Sequence, residues 1–568
     1  MEPRLAARAR GLRGYRVPAT TQVLDLDLRG NEGALPDPAL LTALGDPAIL
    51  RRYPDARAVE AALAARLGLD PSQILVTAGG DDALDRICRL TLEPGRRALL
   101  PTPGFEMTER YVALAGGERV DLPWTGEFPL AETLAAIDDR TGLLVLTSPN
   151  NPTGLTVTAD ARRRLIAACA AVGAVVLLDL AYVEFAAEDP TIEAAAEPNV
   201  LIVRTLSKAW GLAGLRVGYV VGPPALLEPL RAMGAPYAVA GPSLTIAAAA
   251  LAADGEGTTL GRFVAETREA RAALEASLRI AGLEPSPSEA NFAFAEGDRA
   301  GWVVDAAASL GVGVRRFPGR PGLERAVRVG CPPDAEGLRR ACLALETAGR
   351  PEAILFDMDG VLVDVSQSYR AAIQGTAAEF GVAVTSEQIR AMKAKGDANN
   401  DWIVTMRLLR EAGVEVPLDQ VTACFEALYQ GTAERPGLKT TERLLPPRAL
   451  LERLAARLPL AVVTGRPRRD AVEALERHDL LAFFPVVVCM EDGPAKPNPA
   501  PVTLALRRLG LGRAWLVGDT PDDLRAARAA GVVPLGIRAP GDTDPTALLT
   551  AGAARVLAAL TDLETLLP

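Results

Sequence analysis

An apolar run, Val200–Thr205, leads into Leu206-Ser207-Lys208-Ala209-Trp210-Gly211-Leu212-Ala213-Gly214-Leu215-Arg216. A strand that delivers a lysine at its carboxyl end fits an open α/β sheet, where ligands bind beyond the strand ends. Two earlier runs repeat the pattern. Residues 143–147 precede Asn151-Pro152-Thr153-Gly154, and residues 174–178 end in Asp179-Leu180-Ala181-Tyr182. A lone lysine is most often a solvated surface charge, and it is this company that singles out Lys208.

An amine, a carboxylate and phosphate donors are what an aldehyde cofactor with a pyridine ring and a phosphate requires. The amine bonds the aldehyde carbon, and the carboxylate keeps the ring nitrogen protonated. Further elements fall in line. Residues 74–77 read as a strand that breaks at Ala78-Gly79-Gly80-Asp81-Asp82, with a helix over 85–92. Such a turn leaves backbone N–H groups at a helix N-terminus, which suits a phosphate. A short strand over 98–100 ends in Pro101-Thr102-Pro103-Gly104-Phe105. A strand over 23–28 leads to Asn31-Glu32-Gly33, and Tyr53-Pro54 follows. Strand-like 313–316 and Val327-Arg328-Val329-Gly330 come late, after helical patterns from 245 and over 262–278.

This ordered set resembles the fold-type-I, pyridoxal-phosphate-dependent aminotransferases, with histidinol-phosphate aminotransferase the nearest family, over roughly the first 350 residues. The resemblance implies that Lys208 carries pyridoxal 5'-phosphate and that Asp179 pairs with the pyridinium. It implies that Asn151 and Tyr182 bond the ring hydroxyl, and that Thr205, Ser207 and Arg216 hold the phosphate with backbone help from Gly80 and Asp81. Phe105 would stack on the ring, the other reading being a core phenylalanine. Asn31 would cover the substrate. Arg328, and as a second one Arg315, would grip an anionic group, for which the guanidinium fork is suited. The plain alternative is a surface strand arginine. Tyr53 either reaches the cofactor phosphate of a neighbouring subunit, making the enzyme a homodimer, or packs under a Pro turn.

Gly349-Arg350-Pro351 reads as a linker, and the pattern restarts with Ala353–Phe356. Asp357-Met358-Asp359-Gly360-Val361 closes that strand. Leu460–Val463 ends in Thr464-Gly465-Arg466, Lys496-Pro497-Asn498-Pro499 follows, and residues 515–517 end in Gly518-Asp519-Thr520-Pro521-Asp522-Asp523. Two carboxylates two residues apart at a strand end can share a magnesium ion while one attacks phosphorus. The four motifs in this order resemble the haloacid dehalogenase superfamily of phosphatases over 351–568. Asp357 is then the nucleophile and Asp359 the general acid/base. Thr464 and Lys496 hold phosphoryl oxygens, and Mg2+ sits with Asp357, Asp359, Asp519 and Asp523. One or two of these acids could merely cap turns. Helical patterns over 368–380, 386–393 and 401–412 match a cap that closes over the substrate, and the polar stretch 395–402 is a candidate specificity loop.

The expected fold is α/β throughout: an aminotransferase over 1–350, with a large cofactor domain at 46–240 and a small domain from 1–45 plus 241–350. A phosphatase over 351–568 follows, with a helical cap at about 368–445. With 568 residues, 49% hydrophobic, there is material for more than one core. A net charge of −10 argues against a nucleic-acid partner. The Ala-rich run 238–253, interrupted by Gly241-Pro242, reads as a buried helix rather than a membrane span. Arg-rich 1–16 reads as an exposed lead. Six scattered cysteines without a Cys-x-x-Cys suit a cytoplasmic chain with buried thiols, and the single histidine, His478, nearly excludes histidine chemistry.

The joint expectation is a bifunctional enzyme of histidine biosynthesis acting on small molecules. It would transaminate between histidinol phosphate and imidazole-acetol phosphate with glutamate, and hydrolyse a phosphate monoester. The alternative is a transaminase for another amino acid fused to a phosphatase of an unrelated sugar or glycolate phosphate. A non-enzymatic cofactor-binding regulator is disfavoured because every reacting residue type is present.

Overall fold

A computed structural model of the chain describes residue 14 and residues 20–254, 258–394, 400–433 and 435–568. Most of the Arg-rich lead and residues 395–399 of the polar stretch therefore lie outside the described residues. A two-residue strand, β1 (Leu26–Asp27), is all that forms of the strand expected at 23–28. Next come β2 (Ile74–Thr77), helix α1 (Gly79–Thr91), β3 (Arg97–Thr102), β4 (Glu118–Pro123), β5 (Thr141–Thr147), β6 (Val175–Asp179), β7 (Val200–Thr205) and β8 (Gly218–Val221). They build a seven-stranded sheet in the order β2-β8-β7-β6-β5-β3-β4. Only β8 runs against its neighbours. β5, β7 and β8 are buried along their whole length, as their unbroken apolar runs require of strands covered on both faces.

Helix α2 (Gly241–Ala253) is the apolar run, and here the expectation needs correction. Gly241-Pro242 does not interrupt the helix but starts it, because proline is preorganised for the first turn, where its missing N–H costs nothing. Among the described residues no helix is long and apolar enough to cross a membrane.

β9 (Glu284–Ser286), β10 (Phe292–Glu296), helix α3 (Ala300–Ser309), β11 (Val312–Gly313), β12 (Arg315–Arg316), β13 (Ala326–Gly330) and helix α4 (Ala335–Gly349) follow. The strand expected over 313–316 is thus two short strands in different sheets. β11 pairs with β1, which carries the N-terminal segment into this unit, and β12-β13-β10-β9 form an antiparallel sheet.

The rest is β14 (Ala353–Phe356), β15 (Val363–Asp364), helices α5 (Tyr369–Glu379), α6 (Ser386–Ala394), α7 (Asp401–Glu411) and α8 (Leu418–Gln430), then β16 (Arg443–Leu444), β17 (Leu460–Val463), β18 (Val486–Val488), β19 (Ala514–Gly518), β20 (Val533–Ile537) and β21 (Arg555–Leu557). The sheet β18-β17-β14-β19-β20-β21 is wholly parallel. The four helices are inserted between β15 and β16, which pair with each other.

Residues 349–351 are not a free linker. Helix α4 runs to Gly349, and Trp515 of β19 donates its indole N–H to Thr347 O at 2.8 Å. Trp302 of α3 meets the Trp515 ring edge-on at 4.9 Å, and Arg299 donates to both Gly349 O and Leu566 O. Leu278, Val303 and Leu345 share one continuous hydrophobic core with Ile354, Phe356 and Val533. A flexible joint cannot carry buried aromatic surface on both sides.

Candidate active sites

The first site lies at the carboxyl ends of β5, β6 and β7. A cavity of about 860 Å³ is lined by Asn31, Gly80, Asp81, Phe105, Asn151, Asp179, Tyr182, Thr205, Ser207, Lys208, Arg216, Arg315 and Arg328. Every residue singled out for this site is therefore brought together, with one exception. Tyr53 is 82% exposed and stacks on Tyr237 at 4.7 Å, away from this cavity and not packed under the turn.

Asp179 is buried at the end of β6 and accepts from the Ala181 N–H. Burial, only partly opposed by that bond and by Lys208, pushes its carboxyl up to about 6. Lys208 Nζ donates to Gly30 O and Asn31 O at 3.2 and 3.1 Å and lies over the Tyr182 ring. The N-terminal segment lies directly on the lysine loop: a Cβ on Gly33 would stand 1.8 Å from Lys208 O, so only glycine fits there. Thr205 Oγ1 donates to Ser207 Oγ at 2.9 Å. Arg216 reaches Asp81 at 3.0 Å, beside the uncapped N-terminus of α1. Hydroxyls, a guanidinium and free helix N–H groups make an anion cradle. The helix starts at Gly79, earlier than the pattern over 85–92 indicated, so Gly80 and Asp81 belong to its first turn.

Arg315 and Arg328 face each other across β12 and β13 as register partners. Arg328 donates to Asn151 Oδ1 at 2.6 Å and to Arg29 O. Arg315 is 8% exposed, and no described carboxylate lies within ion-pair distance of it. Arg29, Tyr111 and Arg320 also line the cavity. No motif pointed to these three, since isolated arginines and tyrosines carry no spacing signal.

The second site lies at the carboxyl ends of β14, β17 and β19. Asp357, Asp519 and Asp523 each offer an oxygen, all within 4.8 Å of one another. A Cβ on Gly360 would stand 2.2 Å from Asp519 Oδ2, so the glycine lets the acid after β19 come up to the loop that carries Asp357. Lys496 bonds Asp357 Oδ1 at 2.5 Å and also pairs with Asp523. Asp523 Oδ2 accepts from Thr520 N and Oγ1. Burial, eased by Lys496 and worsened by Asp523 and Asp359, raises Asp357 to about 7. Asp519 is held well above the carboxylate range by burial and by Asp357. Crowded hard oxygens with too little positive charge are a donor set that fits magnesium. Buried Thr464 accepts from the Arg466 N–H at 3.1 Å.

Asp359 is not brought into that trio. Its Oδ1 accepts from Arg466 Nε at 2.6 Å. The Thr464-Gly465-Arg466 motif pointed to no role for Arg466. Lys393 of α6 was also missed: burial opposes its charge, yet Asp401 at 2.8 Å, then Asp519 and Asp359, hold its ammonium above the ordinary value.

The family model for aminotransferase class I and II matches residues 27–345. The chain belongs to this aminotransferase family. The model for haloacid dehalogenase-like hydrolases matches residues 354–537, so this aminotransferase carries a hydrolase domain on the same chain, and both units indicate an enzyme. "Aromatic amino acid aminotransferase" of Mycobacterium avium (strain 104) is 36% identical over 329 residues, 56% of this chain and 91% of that protein. "Imidazoleglycerol-phosphate dehydratase" of Phytophthora nicotianae is 50% identical over 197 residues, 33% of this chain but only 44% of that protein. Histidinol-phosphate aminotransferase from Sinorhizobium meliloti, solved with pyridoxal-5'-phosphate, matches with 27% identity and a TM-score of 0.52, over 57% of this chain and 91% of that one. The fold is accordingly a fold-type-I aminotransferase followed by a haloacid dehalogenase-like unit, α/β in both parts.

Proposed function

We propose a bifunctional enzyme of histidine biosynthesis, in which the aminotransferase unit interconverts imidazole-acetol phosphate and histidinol phosphate with glutamate as donor, and the hydrolase unit cleaves a phosphate monoester, histidinol phosphate among the candidates. The observation that carries the reading is the arginine pair, Arg315 opposite Arg328, on one wall of the Lys208 cavity. Like charges directly opposed destabilise a sheet, and a phosphate dianion between them removes that cost. The names of the Sinorhizobium and Phytophthora relatives, both enzymes of imidazole phosphates, support the same pathway. A second reading, transamination of aromatic amino acids, is favoured by the Mycobacterium relative.

Pyridoxal phosphate, when bound, serves as the electron sink. Lys208 moves the proton between the substrate α-carbon and the aldehyde carbon. Asp179 holds the ring nitrogen's proton. Asn151 and Tyr182 orient the ring hydroxyl, Phe105 covers the ring face, and Asn31 closes over the substrate. Thr205, Ser207, Arg216 and the first turn of α1, with Gly80 and Asp81, hold the phosphate. Tyr53 is exposed, as are Leu50, Leu41 and Leu35, and is suited to serve the partner site of a homodimer.

In the hydrolase unit Asp357 attacks phosphorus and Asp359 protonates the departing oxygen, then activates water. Thr464 and Lys496 hold phosphoryl oxygens. Asp357 and Asp519, with Asp523 orienting Lys496, would hold Mg2+, which neutralises charge developing on those oxygens. The domain limits proposed above follow the same division, 1–350 and 351–568, and a cytoplasmic setting suits the free cysteines.

Product analysis tests the reading. Enzyme with imidazole-acetol phosphate, glutamate, pyridoxal phosphate and magnesium should give free histidinol and phosphate. Accumulated histidinol phosphate would reassign the hydrolase, and absence of transamination would remove the pathway.

A further inference from the structure

A buried charge network joins the hydrolase site to the inserted helices. Arg466 has a side chain only 1% exposed. Its guanidinium bonds Asp359 Oδ1 at 2.6 Å, Glu442 at 3.0 and 3.2 Å, and the Tyr429 hydroxyl at 3.3 Å. The Tyr369 ring covers it at 4.8 Å. A guanidinium in the interior is tolerated when its donors find partners, and here the partners come from two bodies. Asp359 belongs to the loop after β14. Tyr369 and Tyr429 belong to α5 and α8 of the insertion.

Glu442 is the telling residue. It is fully buried and immediately precedes β16, the strand by which the chain returns from the inserted helices. Its Oε1 also accepts from Tyr429 and from Ser368 Oγ, at 3.0 Å each. Ser368 immediately precedes α5, just beyond the outgoing strand β15, and its hydroxyl turns to Glu442 rather than capping the helix. Both crossings between core and insertion therefore converge on one carboxylate, and that carboxylate holds the arginine that holds Asp359. A salt bridge placed only to glue two bodies together would not need to end on the acid two residues from Asp357.

We propose that Arg466 is a positioning residue, which fixes Asp359 for proton transfer only while Glu442 and the inserted helices are seated against the core. The inference rests on the phosphatase reading above. With the insertion displaced, Arg466 loses its Glu442, Tyr429 and Tyr369 contacts together, and Asp359 loses its anchor. Lysine cannot replace Arg466, because one ammonium cannot span Asp359 and both oxygens of Glu442.

The test uses the full chain with magnesium and compares kcat/KM for two esters, which reports the steps up to leaving-group departure. Histidinol phosphate expels an alkoxide and needs the proton from Asp359; p-nitrophenyl phosphate expels a stable phenolate and does not. For Arg466→Lys the loss on histidinol phosphate should exceed that on p-nitrophenyl phosphate by at least about tenfold, a part of the roughly 10²–10⁴-fold that a positioned general acid supplies. Glu442→Gln, which keeps the shape of the side chain, should show the same selectivity to a smaller degree and covers the case in which Arg466→Lys does not fold. Equal losses on both esters in soluble, folded variants would reduce Arg466 to a structural tie and overturn the inference. A wild-type chain that hydrolyses neither ester would overturn the phosphatase reading, and the inference with it.

Discussion

At the scale of single residues, burial that outweighs the partners marks the chemistry. Asp179 is pushed up to about 6 because burial exceeds what the Ala181 N–H and Lys208 offset, a state that a bound cation would relieve. Lys208→Ala should abolish both transamination and the visible absorbance of the bound cofactor; a band that survives would move the cofactor to another amine. Asp357 allows a pH test with a definite sign. Its carboxyl is raised from the ordinary range to about 7, so its contribution to stability is complete at low pH and is lost as pH rises through about 7. Magnesium held by ionised Asp357 and Asp519 would compete with protons there. The rise in melting temperature on adding magnesium should be larger near about pH 8 than near about pH 5.5. Equal shifts would place the ion elsewhere. Lys208 and Asp179 were legible in the sequence because each follows an apolar run in a fixed order. Arg466 was not, since an arginine one residue past a Thr-Gly pair gives no hint of what it meets across the fold.

At the scale of elements, strand register turns sequence neighbours into a site. Arg315 and Arg328 lie on consecutive strands, and it is the antiparallel register of β12 with β13 that sets them directly opposite one another. Arg315→Gln should raise KM for histidinol phosphate by about 1.5–3 kcal/mol of binding, the range of a charge-assisted hydrogen bond, while affecting an aromatic amino acid less. Equal effects on both substrates would count against a dianion between the arginines and favour the aromatic reading. The uninterrupted strands β7, β14 and β17 were read correctly because their apolar runs are continuous. The strand at 313–316 was not. Its four residues look alike in pattern, yet β11 pairs with β1 and β12 with β13, and no local signal marks the switch.

At the scale of the whole molecule, the aminotransferase and hydrolase units share a core. Trp515→Ala removes a fully buried indole that packs on Trp302 and bonds Thr347 O. The expected cost is about 3–5 kcal/mol, as for other buried aromatic truncations. Because that surface belongs to both units, bound-cofactor absorbance and phosphatase activity should be lost over the same lowered temperature range. A hydrolase unit that melts alone, with the cofactor site intact, would show that the shared core does not couple them. The sequence by itself determined the two sets of candidate residues and the strands that carry them, because strand ends and motif order are local properties of the chain. Only the tertiary structure decided that residues 349–351 join two packed bodies rather than link free ones, that Asp359 turns to Arg466, and that two arginines share one wall. Each of these depends on contacts between distant segments, and burial energy is set by what a side chain meets, which sequence spacing does not record.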